Sequence, residues 1–279
     1  MRLVRFGPAG EERPGLLQQD RVVDLRSVFA DIPDIGESFF RDGWLAKVSS
    51  AADNDGVSYE RLGCPICKPG KIICLGKNYL EHAKEGGFDL PEKPLLFAKA
   101  PTTLNGPADP ILLPRSCSQV DWEVELAVII GKEGKRISES AAFDHVAGVT
   151  VMNDVSGRQA QFSDGQWFRG KSFDTFAPMG PAIVTLDEIG DVQNLRLSAR
   201  VDGQVMQDGS TADMMFPVAR LIEFISEDIT LLPGDVISTG TPSGVGIFRD
   251  PPVELKPGNV VECRIEKIGS ILNPVVAEL

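Results

Sequence analysis

The stretch DWEVELAVII, residues 121–130, alternates carboxylates with apolar side chains and then becomes wholly apolar. In a strand, successive side chains point to opposite faces. Asp121, Glu123 and Glu125 would therefore share one face, and Trp122, Val124, Leu126 and Val128 the other. The apolar end predicts a strand heading for the core. An ionised carboxylate buried without a partner costs several kcal/mol or takes up a proton, so this acid ladder demands a compensating cation or open water.

A second strand-like run, AGVTVMND, ends at Asp154, where a polar segment begins. A third carboxylate at a strand end can meet the first two across a sheet. Three carboxylates with no neighbouring His or Cys make a set of hard oxygen ligands, suited to magnesium, manganese or calcium rather than zinc. Alone, E-x-E fits an exposed edge strand equally well, so its reading depends on the rest of the chain.

Beyond Lys71 the apolar segments are short and rich in Val and Ile: KIICLG, PLLFAK, APMGPAIVT, LRLSARVDG and NVVECRIEKIG among them. Turn residues separate them closely, which predicts an extensive sheet rather than repeated strand-helix units. Only SESAAFDHVAG (138–148) and FPVARLIEFISEDI (216–229) carry apolar residues at helical spacing. Upstream, LVRF and GLLQQDRVVDLRSV read as strands leading into a helix that Asp24 can cap. Residues 49–70, rich in Asp, Ser, Gly and Pro, read as a connector with little core of its own. The expected class is α+β, mainly β, with a small N-terminal α/β domain and linker over residues 1–66 and a catalytic domain over 67–279.

A chain of 279 residues, 42% of them hydrophobic, can bury a sizeable core. Its net charge of −12 argues against nucleic acid, whose phosphates call for a basic surface. A small anionic substrate would need a locally placed cation. No apolar run approaches the roughly 20 residues that span a bilayer, and the charged start lacks the apolar segment of a signal peptide, so the expected location is the cytoplasm, with no membrane partner. The odd count of five cysteines suits a reducing compartment. Cys64 and Cys67 have C-x-x-C spacing, yet no second ligand pair accompanies them, and Pro65 and Pro69 forbid the helix that a thioredoxin-like site requires.

Chemistry gathers in three more places. In GKNYLEHAKEGG, His82 and Glu85 are three residues apart on a short helix, so the carboxylate can orient the imidazole as a general base. The following Gly86 and Gly87, with FDLPEKP, give that helix the anatomy of a lid. Lys171 lies in the loop QWFRGKSFDTF, and Thr241 in the glycine-rich turn STGTPSGVG. That turn lacks a Gly-Lys-Ser/Thr ending and a following helix, which discounts a nucleotide cradle.

Six motifs in order, GKNYLEHAKE, PLLFAKAPTTLNGP, DWEVELAVIIG, VMNDVSGRQAQ, GKSFDTFAPMGP and LLPGDVISTGTPSGVG, resemble the fumarylacetoacetate hydrolase family over residues 71–268. The resemblance implies a mixed β-sandwich roll with a few short helices, usually a homodimer, holding one Mg²⁺ or Mn²⁺ through Glu123, Glu125 and Asp154. It further implies that His82 and Glu85 activate water, that Lys171 faces the substrate, and that Gln161, Thr241, Asn78 and Tyr79 contact it. The expected reaction is hydrolysis of a carbon-carbon bond in a 2,4-dioxo acid, an acylpyruvate or a 2,4-diketo-3-deoxy sugar acid, with release of pyruvate. Oxaloacetate decarboxylation, isomerisation of 2-hydroxyhepta-2,4-diene-1,7-dioate and ureidoglycolate cleavage share that scaffold, so fold alone does not choose among them. Asp121, in phase with the two glutamates, has no assigned role; it is expected near the rim, supporting a ligand or solvated.

Overall fold

Val124–Ile130 is a strand in which every residue is buried, as expected of an apolar run covered on both faces. In the computed structural model, which describes residues 1–87 and 89–278, this strand lies inside an eleven-stranded sheet. Phe88, part of the proposed lid hinge, falls outside the described residues. The strand runs antiparallel to Val146–Asn153 on one side and to Val236–Ser238 on the other. Beyond Val236–Ser238 come Ile72–Gly76, paired in parallel, and then Leu95–Lys99 at the sheet's edge.

The two faces of the strand meet different partners. Val124, Leu126 and Val128 pack with Leu197, Ala199 and Val261 of a second, five-stranded sheet and with Leu221, Ile222 and Ile225 of the helix Val218–Asp228. Ala127 and Ile129 face the other way, toward Leu25, Phe39 and Phe40 from the N-terminal segment. This segment is tied to the main sheet, because Arg2–Phe6 pairs antiparallel with Ala177–Val184. Asp24 caps the turn Leu25–Val28 by accepting from the Arg26 N–H, as its position suggested. The stretch read as a connector is less peripheral than its composition implied: Cys64 and Ile66 are buried in the same core.

The mixed, mainly β architecture is therefore a large sheet sandwiched between a smaller sheet and N-terminal helices. Among the described residues no helix is long and apolar enough to cross a membrane. Leu126 is fully buried between the sheets, so Leu126→Ala should lower stability by about 2–5 kcal/mol in urea unfolding, the usual cost of such a cavity. A loss below about 1 kcal/mol would remove this strand from the centre of the core.

Candidate active site

The ladder of Val124–Ile130 with Val146–Asn153 ends at the pair Val124 and Asn153. One residue further, the Asp154 N–H donates to the Glu123 carbonyl at 2.8 Å, which sets Glu123 and Asp154 opposite one another. The chain is not one continuous strand here: Val120–Asp121 pairs with Ser156–Gly157, and Trp122 and Glu123 bridge the two short ladders. Side chains satisfy the freed backbone groups. Asn153 Oδ1 accepts from Glu123 N at 3.0 Å, Gln207 Oε1 accepts from Val124 N at 3.0 Å, and Thr241 Oγ1 donates to the Val124 carbonyl at 2.8 Å.

Glu123, Glu125 and Asp154 each offer one oxygen, and these three atoms lie within 4.8 Å of one another, all on buried residues. Lys171 Nζ spans two of them, 2.6 Å from Glu123 Oε2 and 2.8 Å from Asp154 Oδ2. Lys99 Nζ reaches the other Asp154 oxygen at 2.6 Å. Arg158 donates to Glu123 Oε1 at 2.6 Å, to Asp121 Oδ1 at 2.7 Å and to Gln161 Oε1 at 3.0 Å. Of the two expectations for Asp121, support of a ligand fits its position, whereas a solvated place at the rim does not. Asp121 is 1% exposed, and its second oxygen accepts from the Ile247 N–H, so it fixes the guanidinium that in turn holds Glu123.

Glu125 differs from the others. Its Oε2 accepts from Ser238 Oγ at 2.6 Å and from Gly240 N at 2.9 Å, but among the described residues no ammonium or guanidinium pairs with it. The Gly240 N–H reaches it from a backbone at φ +95°, where a Cβ would also sit 2.8 Å from the Asn78 Cβ, so glycine is required. Burial, followed by repulsion from Asp154 and Glu123, pushes the Glu125 carboxyl well above the ordinary carboxylate range. For Glu123 burial works in the same sense, but Lys171 and Arg158 outweigh it and hold this carboxyl well below that range. With all four carboxylates ionised, Asp121, Glu123, Glu125 and Asp154 would outnumber Lys99, Lys171 and Arg158 by one negative charge, and the proton that Glu125 favours is what a cation would replace. An all-oxygen donor set with surplus negative charge fits a divalent cation such as Mg²⁺ or Mn²⁺.

His82 stands beside this cluster, lining the same cleft as Glu123 and Glu125. Its Nδ1 lies 2.8 Å from Glu85 Oε1, and Glu85 Oε2 accepts from Gly244 N at 2.8 Å, so the dyad is anchored to the glycine-rich turn. His82, Glu123, Glu125, Lys171, Gln161 and Thr241 line one cleft with a volume of about 30 Å³, room for about two waters.

Asn78 and Tyr79, expected to contact substrate, do not line that cleft. Asn78 spends its amide on backbone, donating to the Phe216 and Thr239 carbonyls and accepting from Phe216 N. Tyr79 is 2% exposed and borders a separate depression beside Asp213 and Pro242. Conversely, Arg158 and Lys99 escaped the sequence reading. Arg158 had a usable signal, an arginine four residues after a proposed ligand. The only hint of Lys99 was a lysine closing the otherwise apolar strand Leu95–Lys99.

With this geometry in view, the likeness to known proteins gains meaning. The profile of the fumarylacetoacetate (FAA) hydrolase C-terminal family matches residues 71–276. Over 288 aligned residues, 99% of this chain and 90% of the relative, the chain is 45% identical to a Xenopus laevis protein named oxaloacetate tautomerase fahd2, mitochondrial. The solved structure of 5-carboxymethyl-2-hydroxymuconate delta-isomerase from Mycobacterium smegmatis superimposes with a TM-score of 0.80 at 35% identity, covering 100% of both chains. Maleylpyruvate hydrolase from Sphingobium sp. SYK-6, in complex with manganese (II) ion and pyruvate, gives a TM-score of 0.82 at 28% identity, again covering 100% of both.

Two outcomes are expected. Glu123→Ala and Asp154→Ala should abolish the heat of Mg²⁺ binding in calorimetry, whereas Asp121→Asn, one bond further out, should weaken affinity by about 10–100-fold. Unchanged affinity in any of the three removes that residue from the set. Mg²⁺ should also raise Tm more as pH increases. A raised Glu125 pKa means that its proton stabilises the metal-free fold, fully below the unfolded value and progressively less as pH rises through the folded one. A bound cation replaces that proton, so a Tm gain that stays flat across this window would contradict the assignment of Glu125.

Proposed function

Since the chain belongs to the fumarylacetoacetate hydrolase family, whose enzymes use a divalent metal, we propose that it is an oxo-acid tautomerase that shifts a proton between C3 and the 2-oxygen of oxaloacetate or a similarly short 2-oxo dicarboxylate. The observation that carries this reading is the placement of an oriented base, His82, over buried cations in a cleft with little room for a separate nucleophile. The likeness to an oxaloacetate tautomerase along nearly the whole chain supports it.

Glu85 accepts the Nδ1 proton of His82, which leaves Nε2 with its lone pair as the basic nitrogen. Nε2 removes a proton from C3 of the keto form. The C–H electron pair becomes the C2–C3 double bond, and negative charge passes to the 2-oxygen. Lys171 carries a buried positive charge on the cleft wall, preorganised where that charge develops. Glu123, Glu125 and Asp154 would hold Mg²⁺ or Mn²⁺, which supplies a further fixed positive charge for the same oxygen. The imidazolium then returns its proton to oxygen to give the enol, and the reverse sequence restores the ketone. Exclusion of bulk water by the bound substrate would limit competing proton exchange.

Hydrolysis of a carbon-carbon bond in a 2,4-dioxo acid is the second reading, favoured by the likeness to maleylpyruvate hydrolase; His82 would then deprotonate water instead of carbon. Two assays separate them. Decay of the enol absorbance of oxaloacetate reads tautomerisation, and coupled detection of pyruvate from acetylpyruvate reads hydrolysis. His82→Ala should slow the enol decay by about 10²–10⁴, the usual worth of a general base. A variant within a few-fold of the parent would exclude His82 as the base, and rapid pyruvate release by the parent would move the reading to hydrolysis.

A further inference from the structure

The walls of the cleft differ from its floor. Below lie the carboxylates and their cations, whereas Phe97, Phe162, Trp167 and Phe248 stand along the sides. Two of these rings, Phe97 and Trp167, have a second exposure. They also border a groove outside the cleft, about 600 Å³ in volume, whose other lining residues include Leu95, Leu96 and Phe168 beside Gln166. Phe97 and Trp167 thus stand as an aromatic partition between the cleft and a larger, more open and largely apolar groove.

Trp167 is wedged in place. A Cβ built on Gly76 would lie 2.6 Å from its Cζ3 and 2.9 Å from its Cη2, so the indole fills a notch that exists because residue 76 has no side chain. Its ring meets Phe97 edge-on, with centroids 5.3 Å apart and planes at 66°, an arrangement that aromatic pairs favour. Phe97 in turn carries the Lys171 ammonium over its face at 5.0 Å. Trp167 is joined to the same lysine through the backbone, since its carbonyl accepts from Lys171 N at 3.0 Å. The indole therefore cannot rotate freely without losing both the notch and the Phe97 contact.

We propose that Trp167 is the length gauge of the substrate pocket: it seals the catalytic cleft from the apolar groove and so restricts turnover to short 2-oxo acids, while the groove could otherwise accept the aliphatic tail of a longer one. This rests on the reading of the cleft around His82 and Lys171 as the active site. Selection by such a wall is steric. Shortening the wall gives a tail somewhere to go without changing the polar floor that recognises the 2-oxo carboxylate. Hydrophobic pockets discriminate by about 10–200-fold per methylene, so the effect should be large for a tail of several carbons.

The test compares two ligands with the same head group, pyruvate and 2-oxooctanoate, by calorimetry on the Mg²⁺-loaded parent, Trp167→Ala and Trp167→Leu. The Leu variant serves if the Ala variant fails to fold. The parent should prefer pyruvate by at least about tenfold, and the variants should narrow or invert that ratio by about tenfold or more, with pyruvate affinity changed less than 2-oxooctanoate affinity. A folded variant that keeps the parental ratio within about twofold overturns the gauge, as does a parent that binds both ligands equally. Enol decay of oxaloacetate is measured in parallel. Loss of the proposed activity in the parent, with the ratio shifting as expected, would fault the tautomerase reading and leave the gauge standing.

Discussion

Carboxylates buried within a few ångströms of one another cannot all remain ionised unless cations meet them, and this constraint organises much of the molecule. Asp121, Glu123, Glu125 and Asp154 come from two neighbouring strands and their ends, but their partners come from elsewhere. Lys99 arrives from the last strand of the sheet, Arg158 from the helix Arg158–Ser163, and Lys171 from the short helix Phe168–Lys171. The turn after Val236–Ser238 adds the Gly240 N–H. Taking away one member of a buried pair strands the other, at a cost of about 3–5 kcal/mol. The site therefore fastens segments that are distant in sequence, and its residues serve folding and chemistry together.

The acid ladder was legible because its signal is local. Alternation along a strand is a property of neighbouring residues, and a carboxylate on the way into a core poses an electrostatic problem that a reader of sequence can state. The solution is non-local. Nothing adjacent to Lys99 or Arg158 announces that Asp154 or Asp121 will face it, since the pairing is made by sheet order and by a helix folding back across a strand end. Asp121 shows the cost of this gap: with its guanidinium partner unseen, a role supporting a ligand and a solvated place at the rim stood open together, whereas the residue is almost fully buried against Arg158. Asn78 and Tyr79 lie outside the cleft lining for the opposite reason. Proximity to His82 in the chain suggested proximity to substrate, but a helix begins at Leu80, and the two preceding residues are turned into backbone hydrogen bonds and core. Composition misled in a third way, since a Pro- and Gly-rich stretch still delivers Ile66 to the interior.

Glu85 joins His82, the proposed base, to the rest of the site. One of its oxygens meets His82, and the other accepts the Gly244 N–H of the turn that also supplies Gly240 to Glu125 and Thr241 to the Val124 carbonyl. Orientation of the imidazole is thus coupled to the docking of the helix Leu80–Glu85 on that turn. The walls of the cleft are held unequally. The Trp167 side is pinned by Gly76 and Phe97, and the floor is locked by ion pairs, whereas the helix ends in two glycines. Were the helix to lift from the turn, Glu85 would part from Gly244, and its return would restore the contact. The base would then be fully oriented only once the cleft has shut and its water has left, which couples proton abstraction to the exclusion of solvent.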